Sequence, residues 1–304
     1  MKHILWRGPS RAVRLSAVLV ALSCSGLIGM GVAYGASTGA APTFPKDSTM
    51  AKIQARGKLV VGVKYDVPTF GQKNPITGAV EGFEPELAKI LGRDMFGADG
   101  HVEFVEAPGP SRETIVQQGR ADLVSSTYTI TPEREKAISF AGPIYVSTPA
   151  IMVRKDYKGL GDSIPGYQAL NGHSVCAVTN SIESNLLSKK APNAKIIHLT
   201  SNAQCVKALE QGRVDTYATD DVIIFGFLKK EPHKFRFVAN PNGEKQPYGI
   251  GVKKSSKDLC EWVNKELLVA FQDGSWKKAF ADTIGKVVST IPEPPTAADM
   301  HYCD

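Results

Sequence analysis

One order of elements occurs twice along this chain, and this repetition constrains the fold more than any other feature of the sequence. In each copy, short apolar runs typical of buried strands alternate with segments of helical periodicity. The first copy extends from Leu59 to Ser126 and the second from Ala150 to Thr219. Such alternation favours β-α-β units and a mainly parallel sheet. We therefore predict an α/β fold with two similar lobes, a division that the length of 304 residues also favours.

A helix that ends in Gln-Gly-Arg, followed by an aspartate and a strand, occurs once in each copy. The two segments read VQQGRADLVSS and LEQGRVDTYAT. A glycine directly after a helix is common, so one such segment indicates only a helix end. Two at equivalent places support two lobes of one kind. We predict that lobe 1 begins with residues 51–150, that lobe 2 spans 151–245, and that 246–304 return to lobe 1 and form C-terminal helices and a tail.

The N-terminus is typical of an export signal. Four early cations precede the apolar run LSAVLVALSCSGLIGMGVAYGAS, which has small residues near its end. We assign residues 1–36 to a signal peptide or a lipoprotein signal or anchor, and 37–50, rich in small residues and proline, to a linker. Cys24 is a lipidation candidate; the alternatives are removal with the signal and an uncleaved anchor. The protein is expected outside the cytoplasm, lipid-anchored at the membrane face or secreted.

Charge and cysteine content agree with export. The formal charge of +6 derives largely from the N-terminal cations, so the remainder gives no reason to expect a nucleic-acid partner. Without Cys24, four cysteines remain, an even number that allows two disulfides in an oxidising compartment. Their order suggests the local pairs Cys176–Cys205 and Cys260–Cys303. The alternative is a set of buried free thiols.

Motifs for catalysis and metal binding are absent from the sequence. It contains no HExxH, GxSxG, P-loop, GxGxxG or CxxC pattern, and its six histidines show no metal-ligand spacing. Nothing in the sequence therefore indicates a metal or a cofactor.

Polar residues at the ends of predicted strands are the candidates for a binding site, because open parallel sheets place their ligand crevice there. Thr131 before Pro132 is typical of a helix start, which puts Arg134 in the first helical turn, where the helix dipole disfavours a cation. We interpret Arg134 as a clamp for a carboxylate, with Thr127 and Thr129 completing the site. The alternative is a solvated arginine paired with a neighbouring glutamate.

Lobe 2 offers a similar set of residues. Asp220 and Asp221 lie between a strand and a helix; one is expected to cap the helix and the other to accept a ligand ammonium group. Ser181 precedes another helix, whose first amide groups suit an anion.

Six segments between Leu59 and Ile284 together resemble the solute-binding proteins of polar amino-acid ABC transporters, bacterial extracellular solute-binding protein family 3. The resemblance is strongest to the actinobacterial glutamate-binding branch, in which a cysteine pair at equivalent places is also familiar. The segments are, in order, VVGVKYDVPTFGQKNP, EGFEPELAKIL, STYTITPEREKAISFAGP, SVCAVTNS, CVKALEQGRVDTYATDD and YGIGVKK.

The resemblance implies a periplasmic-binding-protein-like fold, with a ligand cleft and a hinge between two lobes. It implies that Arg134 and Thr129 hold the α-carboxylate of an amino acid and that Asp220 receives the α-amino group. Lys64 matches a position facing the side-chain pocket, where it would meet a distal carboxylate or amide; the alternative is an ordinary exposed lysine.

One departure from the family pattern affects the expected ligand. The segment Asn180-Ser181-Ile182-Glu183 stands where the family has Gly-Ser-Thr at a helix start. If Glu183 faces the ligand, like-charge repulsion disfavours glutamate and favours glutamine, asparagine or a basic amino acid. We expect Glu183 to face solvent as a charge near the helix N-terminus, which leaves an acidic preference intact.

The resemblance implies a non-catalytic receptor that closes on a polar amino acid and delivers it to a membrane permease and its ATPase. Glutamate is the first expected ligand, with aspartate, glutamine and asparagine as alternatives. Two other functions stay open. One is an enzyme on the same fold, such as a cyclohexadienyl-type dehydratase or a transglycosylase, and the other is an amino-acid sensor. An enzyme would need a general acid, for which Glu183 is the candidate.

Overall fold

The computed structural model of the protein describes residues 40–288 and 290–303, and the apolar runs of the sequence form its strands. In that part of the chain the strands are β1 Leu59–Val63, β2 Asp66–Val67, β3 Gly71–Lys73, β4 Val80–Glu81, β5 Val102–Glu106, β6 Leu123–Val124, β7 Ser139–Ser147, β8 Pro149–Arg154, β9 Ser174–Val178, β10 Lys195–Leu199, β11 Thr216–Asp220, β12 Phe235–Ala239 and β13 Gln246–Val252. The α-helices are α1 Thr49–Arg56, α2 Phe83–Phe96, α3 Arg112–Gln117, α4 Pro132–Glu135, α5 Ile182–Lys190, α6 Asn202–Glu210, α7 Asp221–Lys230, α8 Lys257–Asp273 and α9 Ser275–Asp282.

Two five-stranded sheets define two lobes, which confirms the predicted two-lobed α/β fold. Lobe 1 has the strand order β5-β1-β6-β13-β7, and lobe 2 has the order β10-β9-β11-β8-β12. In each sheet the first three strands run parallel to one another, and the fourth runs antiparallel to both of its neighbours. A small antiparallel sheet of β2, β3 and β4 adjoins lobe 1.

The two Gln-Gly-Arg segments occupy equivalent places in the two lobes. One leads from α3 into β6 and the other from α6 into β11, and each of these strands is third in its sheet. Gly119 and Gly212 both have φ +69°, a left-handed backbone that glycine adopts without steric penalty. The repeated segment therefore marks a repeated supersecondary unit.

The chain crosses between the lobes twice. Strand β7 of lobe 1 leads through Thr148 alone into β8 of lobe 2, and residues 240–245 lead from β12 back to β13. Asp221 of lobe 2 accepts hydrogen bonds at the first crossing from the Ser147 hydroxyl (2.8 Å) and the Thr148 amide (3.3 Å). Two adjacent crossings of this kind form a hinge.

Aromatic side chains in lobe 1 pack around the turn between β2 and β3, which contains Phe70 and faces lobe 2. The ring of Phe83, the first residue of α2, lies with its centroid 5.8 Å from Phe70 and 5.6 Å from Trp276, both edge to face. All three side chains are fully buried.

The part of the chain that packs on lobe 1 begins before the predicted start near residue 50, because the ring of Phe44 lies 6.0 Å from that of Trp262.

Two disulfides join the cysteine pairs that the chain order suggests. Cys176 of β9 is bonded to Cys205 of α6 (S–S 2.01 Å), and Cys260 of α8 is bonded to Cys303 of the tail (S–S 2.05 Å). The predicted signal with Cys24 lies outside the described residues. Within residues 40–288 and 290–303, no helix combines the length and the apolar character needed to cross a membrane.

Candidate functional site

The carboxyl ends of the parallel strands of both lobes face each other, and between them lies a cavity of about 30 Å³. A cavity of this size holds no more than a few water molecules. The structure brings together there the sequence-predicted residues Lys64, Thr127, Thr129, Arg134, Ser181, Asp220 and Glu183. It also places at the cavity three charged or amide side chains that sequence reasoning did not single out, Arg112, Asn202 and Gln246.

Arg134 is a pocket residue, and its alternative interpretation as a solvated surface charge is wrong. The side chain is 7% exposed, and Thr131 caps α4 by accepting a hydrogen bond from the Arg134 amide (3.3 Å). The guanidinium donates to the Thr129 carbonyl (2.7 Å) and, across the cleft, to the Asn180 carbonyl of lobe 2 (2.8 Å). Burial lowers the pKa of Arg134. The neighbouring Glu133 forms its ion pair with Lys136 and not with Arg134.

A second arginine, Arg112, lines the cavity beside Arg134. It is the first residue of α3 and is 4% exposed. Its guanidinium donates to the carbonyls of Ser126 (3.1 Å) and Thr127 (3.0 Å). The Cζ atoms of Arg112 and Arg134 lie 4.3 Å and 4.9 Å from the centroid of the Tyr128 ring, which stabilises both cations by cation-π contact.

Lys64 follows β1 and adds a third cation to the same wall. The side chain is 4% exposed, so its alternative as an ordinary exposed lysine is wrong. Burial, and then the charge of Arg112, lower the pKa of Lys64 to about 8. Among the described residues, no hydrogen-bond or ion-pair partner contacts its Nζ.

Glu84 of α2 supports this wall from behind and was not identified from the sequence. It is fully buried, and its Oε1 accepts the Thr127 amide (2.7 Å). Thr127 has φ +44°, a left-handed conformation that a threonine adopts only when its surroundings hold it there. Burial raises the pKa of Glu84 to about 7, although the Thr127 amide and Lys64 oppose the shift.

In lobe 2, Asp220 stands at the N-cap position of α7 without a side-chain cap bond, and Asp221 is the first residue of the helix. Asp221 Oδ1 accepts the Val222 amide (2.7 Å) and serves the hinge. Asp220 is 5% exposed; its Oδ2 accepts the Tyr248 hydroxyl (2.5 Å), and its Oδ1 has no hydrogen-bond partner in the described part of the chain. Burial, and then the charge of Glu183, raise the pKa of Asp220 well above its usual value.

The prediction that Glu183 faces solvent is wrong. Ser181 caps α5 by accepting the Ser184 amide (3.1 Å), and Glu183 shares the inner helix face with Leu187, one turn later. Glu183 is therefore 3% exposed, and its Oε1 accepts a 2.6 Å hydrogen bond from Gln246 of lobe 1. Gln246 in turn accepts from the Thr129 hydroxyl (2.9 Å). Burial raises the pKa of Glu183.

The charged walls of the cavity have opposite signs. Among the described residues that line it, the cations Lys64, Arg112 and Arg134 belong to lobe 1, and the carboxylates Glu183 and Asp220 belong to lobe 2. A small molecule that carries both charges is therefore oriented as it binds, with its anionic groups toward lobe 1 and its cationic group toward lobe 2.

Comparison with known proteins gives consistent matches. The family described as bacterial extracellular solute-binding proteins, family 3, matches residues 59–286. A glutamine-binding protein of Geobacillus stearothermophilus is 34% identical over 215 residues, 70% of this chain and 79% of the relative. The glutamate-binding protein GluB of Corynebacterium efficiens is 30% identical over 267 residues, 85% of this chain and 88% of the relative. The solved solute receptor for L-cysteine of Neisseria gonorrhoeae aligns with TM-score 0.73 and 28% identity over 79% of this chain and 95% of its own.

Proposed function

Because this chain belongs to family 3 of the bacterial extracellular solute-binding proteins, we propose that it captures a polar amino acid outside the cytoplasm and delivers it to an ABC permease and its ATPase. Glutamate is the first candidate ligand, and aspartate, glutamine and asparagine follow. One of the relatives is named a glutamine-binding protein and another a glutamate-binding protein, which supports this class of ligand.

One observation carries the proposal: within the described part of the chain, two buried side chains of opposite charge at the same cavity each have a polar atom without a hydrogen-bond partner. Lys64 Nζ lies in one wall and Asp220 Oδ1 in the other, and both side chains are at least 95% buried. A buried charge without a partner is destabilising, because it has lost its hydration and gained no replacement. A zwitterion that carries a carboxylate and an ammonium group replaces the lost hydration at both places.

The proposed division of the pocket is the one that the resemblance to the family implies, and the charges of the lining residues support it. Arg134 and Thr129 hold the α-carboxylate, the Ser181 turn and Thr127 border it, and Asp220 accepts the α-ammonium group. Lys64 and Arg112 then face the distal group of the ligand side chain.

The buried position of Glu183 does not remove the preference for an acidic ligand. Its charged neighbours are Asp220 and Arg134, which belong to the proposed α-amino and α-carboxyl end. There a second carboxylate strengthens the attraction for an ammonium group. The distal end is lined by two cations, Lys64 and Arg112, which favour a carboxylate over an amide.

Binding requires the lobes to move apart and close again. In this closed arrangement, the guanidinium groups of Arg112 and Arg134 donate to the Asn180 carbonyl across the cleft (3.3 and 2.8 Å). An amino acid does not fit a cavity of about 30 Å³, so it replaces these bonds when the lobes close on it.

A thermal-shift screen of the twenty amino acids tests the proposal. A ligand that binds only the folded state raises the melting temperature by mass action, by an amount equivalent to about 2.7 kcal/mol at a hundredfold excess over Kd. We expect a rise with glutamate or one of its three alternatives, and its loss in Arg134→Ala. The exposed Arg213→Ala serves as a matched control that keeps the shift. A flat response to all twenty would rule out an amino-acid ligand.

An enzyme on this fold is the second candidate, and Glu183 is the observation that favours it. A buried carboxyl with a raised pKa suits a general acid. Chromatography of the ligand after release from the protein separates the two functions. A receptor returns its ligand unchanged, whereas a dehydratase returns a product that lacks water.

A further inference from the structure

The lobes also meet at a second contact, which lies beside the ligand cavity. It consists of Asp66 and Pro68 from lobe 1 and of Asn202, Ala203 and Gly226 from lobe 2, and we refer to these five residues as the clasp. The lobe 1 residues belong to β2 and the turn after it, and the lobe 2 residues belong to α6 and α7.

The polar part of the clasp places an anion at the start of a helix in the opposite lobe. Asp66 Oδ2 accepts the Ala203 amide (2.9 Å), and Asp66 Oδ1 accepts from the Asn202 side chain (3.3 Å). The first amides of a helix have no partner within the helix, and the dipole there favours a negative charge. Asp66 therefore accepts hydrogen bonds from the N-terminus of α6 only while the lobes are closed.

The apolar part of the clasp depends on a glycine in α7. A Cβ atom at Gly226 would lie 2.5 Å from the Pro68 carbonyl oxygen and 3.3 Å from Pro68 Cβ. The nearer distance is shorter than van der Waals contact allows, and the atom it meets is rigid backbone. Glycine within a helix is less favourable than alanine. Gly226 thus makes α7 less stable than alanine would, but it allows the two lobes to come into contact.

Asn202 connects the clasp to the cavity. It is 2% exposed, it lines the cavity, and its Oδ1 accepts the Tyr217 hydroxyl (2.6 Å) while its amide donates to Asp66. The position of α6, and with it one wall of the cavity, is thereby coupled to Asp66.

We propose that the clasp sets the closed fraction of the protein, with Asp66 as a positioning residue that acts through Asn202 and α6. In this proposal the ligand-bound form keeps the clasp and gives up only the bonds to the Asn180 carbonyl, so the apparent affinity for a ligand scales with the fraction of the protein in which the clasp is formed. The clasp thus tunes the affinity for all ligands by one common factor and leaves their ranking unchanged. The inference rests on the proposed function only in that the ligand used to measure affinity is an amino acid.

Gly226→Ala tests the clasp without altering any charge. We expect the free energy of unfolding in the absence of ligand to stay equal or to rise, because alanine favours the helix. We also expect Kd, measured by isothermal titration calorimetry with glutamate and glutamine, to rise by the same factor for each, about tenfold or more. An unchanged Kd, or a rise for one amino acid alone, overturns the proposal.

Asp66 variants test the polar part of the clasp. Asp66→Ala is expected to raise the dissociation rate constant roughly tenfold with little change in the association rate constant, as the loss of a charge-assisted hydrogen bond implies. Asp66→Glu should restore part of the loss, and the exposed Asp99→Asn should show none. Measurement at pH 6 keeps Lys64 protonated in every variant, which matters because the charge of Asp66 raises the pKa of Lys64. Equal dissociation rates in wild type and Asp66→Ala would contradict the assignment.

Small-angle X-ray scattering separates failure of the clasp from failure of the proposed function. If wild type binds none of the amino acids, the proposed function fails, yet the radius of gyration still reports closure. We expect a larger radius of gyration for Gly226→Ala than for wild type under the same conditions. Equal radii, with and without added amino acids, overturn the clasp.

Discussion

Lys64 is the residue through which pH acts on the proposed distal subsite. Its pKa of about 8 in the closed arrangement without ligand lies below the ordinary value of 10.5, so there the ammonium loses its proton as pH rises through 8. A ligand carboxylate binds the protonated form and raises the pKa of Lys64 in the complex. Between these two pKa values, binding takes up a proton and affinity falls as pH rises.

The affinity for glutamate is therefore expected to fall between pH 8 and pH 10, by at most about tenfold per pH unit for a single proton. The affinity for glutamine should fall less, because its amide gains little from the charge. Calorimetric titration of both ligands across this range measures the difference. Lys64→Met is the control that removes the dependence; equal pH profiles for the two ligands in wild type would place the distal group elsewhere.

Glu183 and Asp220 determine the behaviour in acid. The folded-state pKa of each is raised, so both take up protons at higher pH than an exposed carboxylate, and a protonated Asp220 no longer attracts an ammonium group. Affinity for an amino acid is expected to fall on acidification.

Glu183→Gln tests the interaction between the two carboxylates. The new glutamine keeps an oxygen that can accept from Gln246. The substitution also removes the like charge beside Asp220, so the pKa of Asp220 falls. The acid limb of a plot of Kd against pH should then shift to lower pH, and an unshifted limb would show that the two carboxylates do not interact.

The residues that sequence reasoning missed have one physical property in common: each has a polar side chain that is buried at the cleft. Periodicity identifies apolar faces, so Arg112, Glu84 and Gln246 read as the polar residues of helices and strand ends. The dipole argument that singled out Arg134 applies equally to Arg112, which starts α3. For Glu183 the same reasoning gave the wrong side of the helix, because the inner face of α5 is set by Ser184 and Leu187.

At the scale of elements, α6 carries several functions at once. Its N-terminus meets Asp66, Asn202 lines the cavity, and Cys205 ties the helix to β9. The disulfide closes a loop with a sequence separation of 29 residues. A cross-link of this length stabilises the folded state mainly by restricting the unfolded chain.

Replacing both Cys176 and Cys205 by alanine is expected to lower the free energy of unfolding by about 3 to 4 kcal/mol, as the loop length implies. Urea denaturation followed by circular dichroism measures the loss. The pair Cys260→Ala with Cys303→Ala is the comparison, since it releases the tail and leaves α6 attached. A stability equal to that of wild type would show that the Cys176–Cys205 bond does not form in the native protein.

The order of elements was largely predictable from the sequence, and the pairing of the strands only in part. The parallel strands β1, β5 and β6 follow from alternation of apolar runs and helices, as do their counterparts in lobe 2. The antiparallel strands β7 and β13 pair over a distance of about a hundred residues in sequence, and no local pattern specifies such a partner.

At the scale of the whole molecule, opposite charge on the two walls of the cleft favours closure. The cations of lobe 1 and the carboxylates of lobe 2 attract each other across the cavity, and a zwitterion placed between them is attracted to both walls. The hinge, the charged walls and the clasp therefore act on one motion, and variants of each should alter the same equilibrium.

The double crossing also dictates an order of assembly. Lobe 2 is a continuous segment whose five strands, β8 to β12, are complete once residue 239 has been made. Lobe 1 lacks β13, which lies between β6 and β7, until the chain has passed through the whole of lobe 2. During N-to-C synthesis, the second lobe can thus finish its sheet before the first, whose sheet stays incomplete, with β7 unpaired, until β13 has been made.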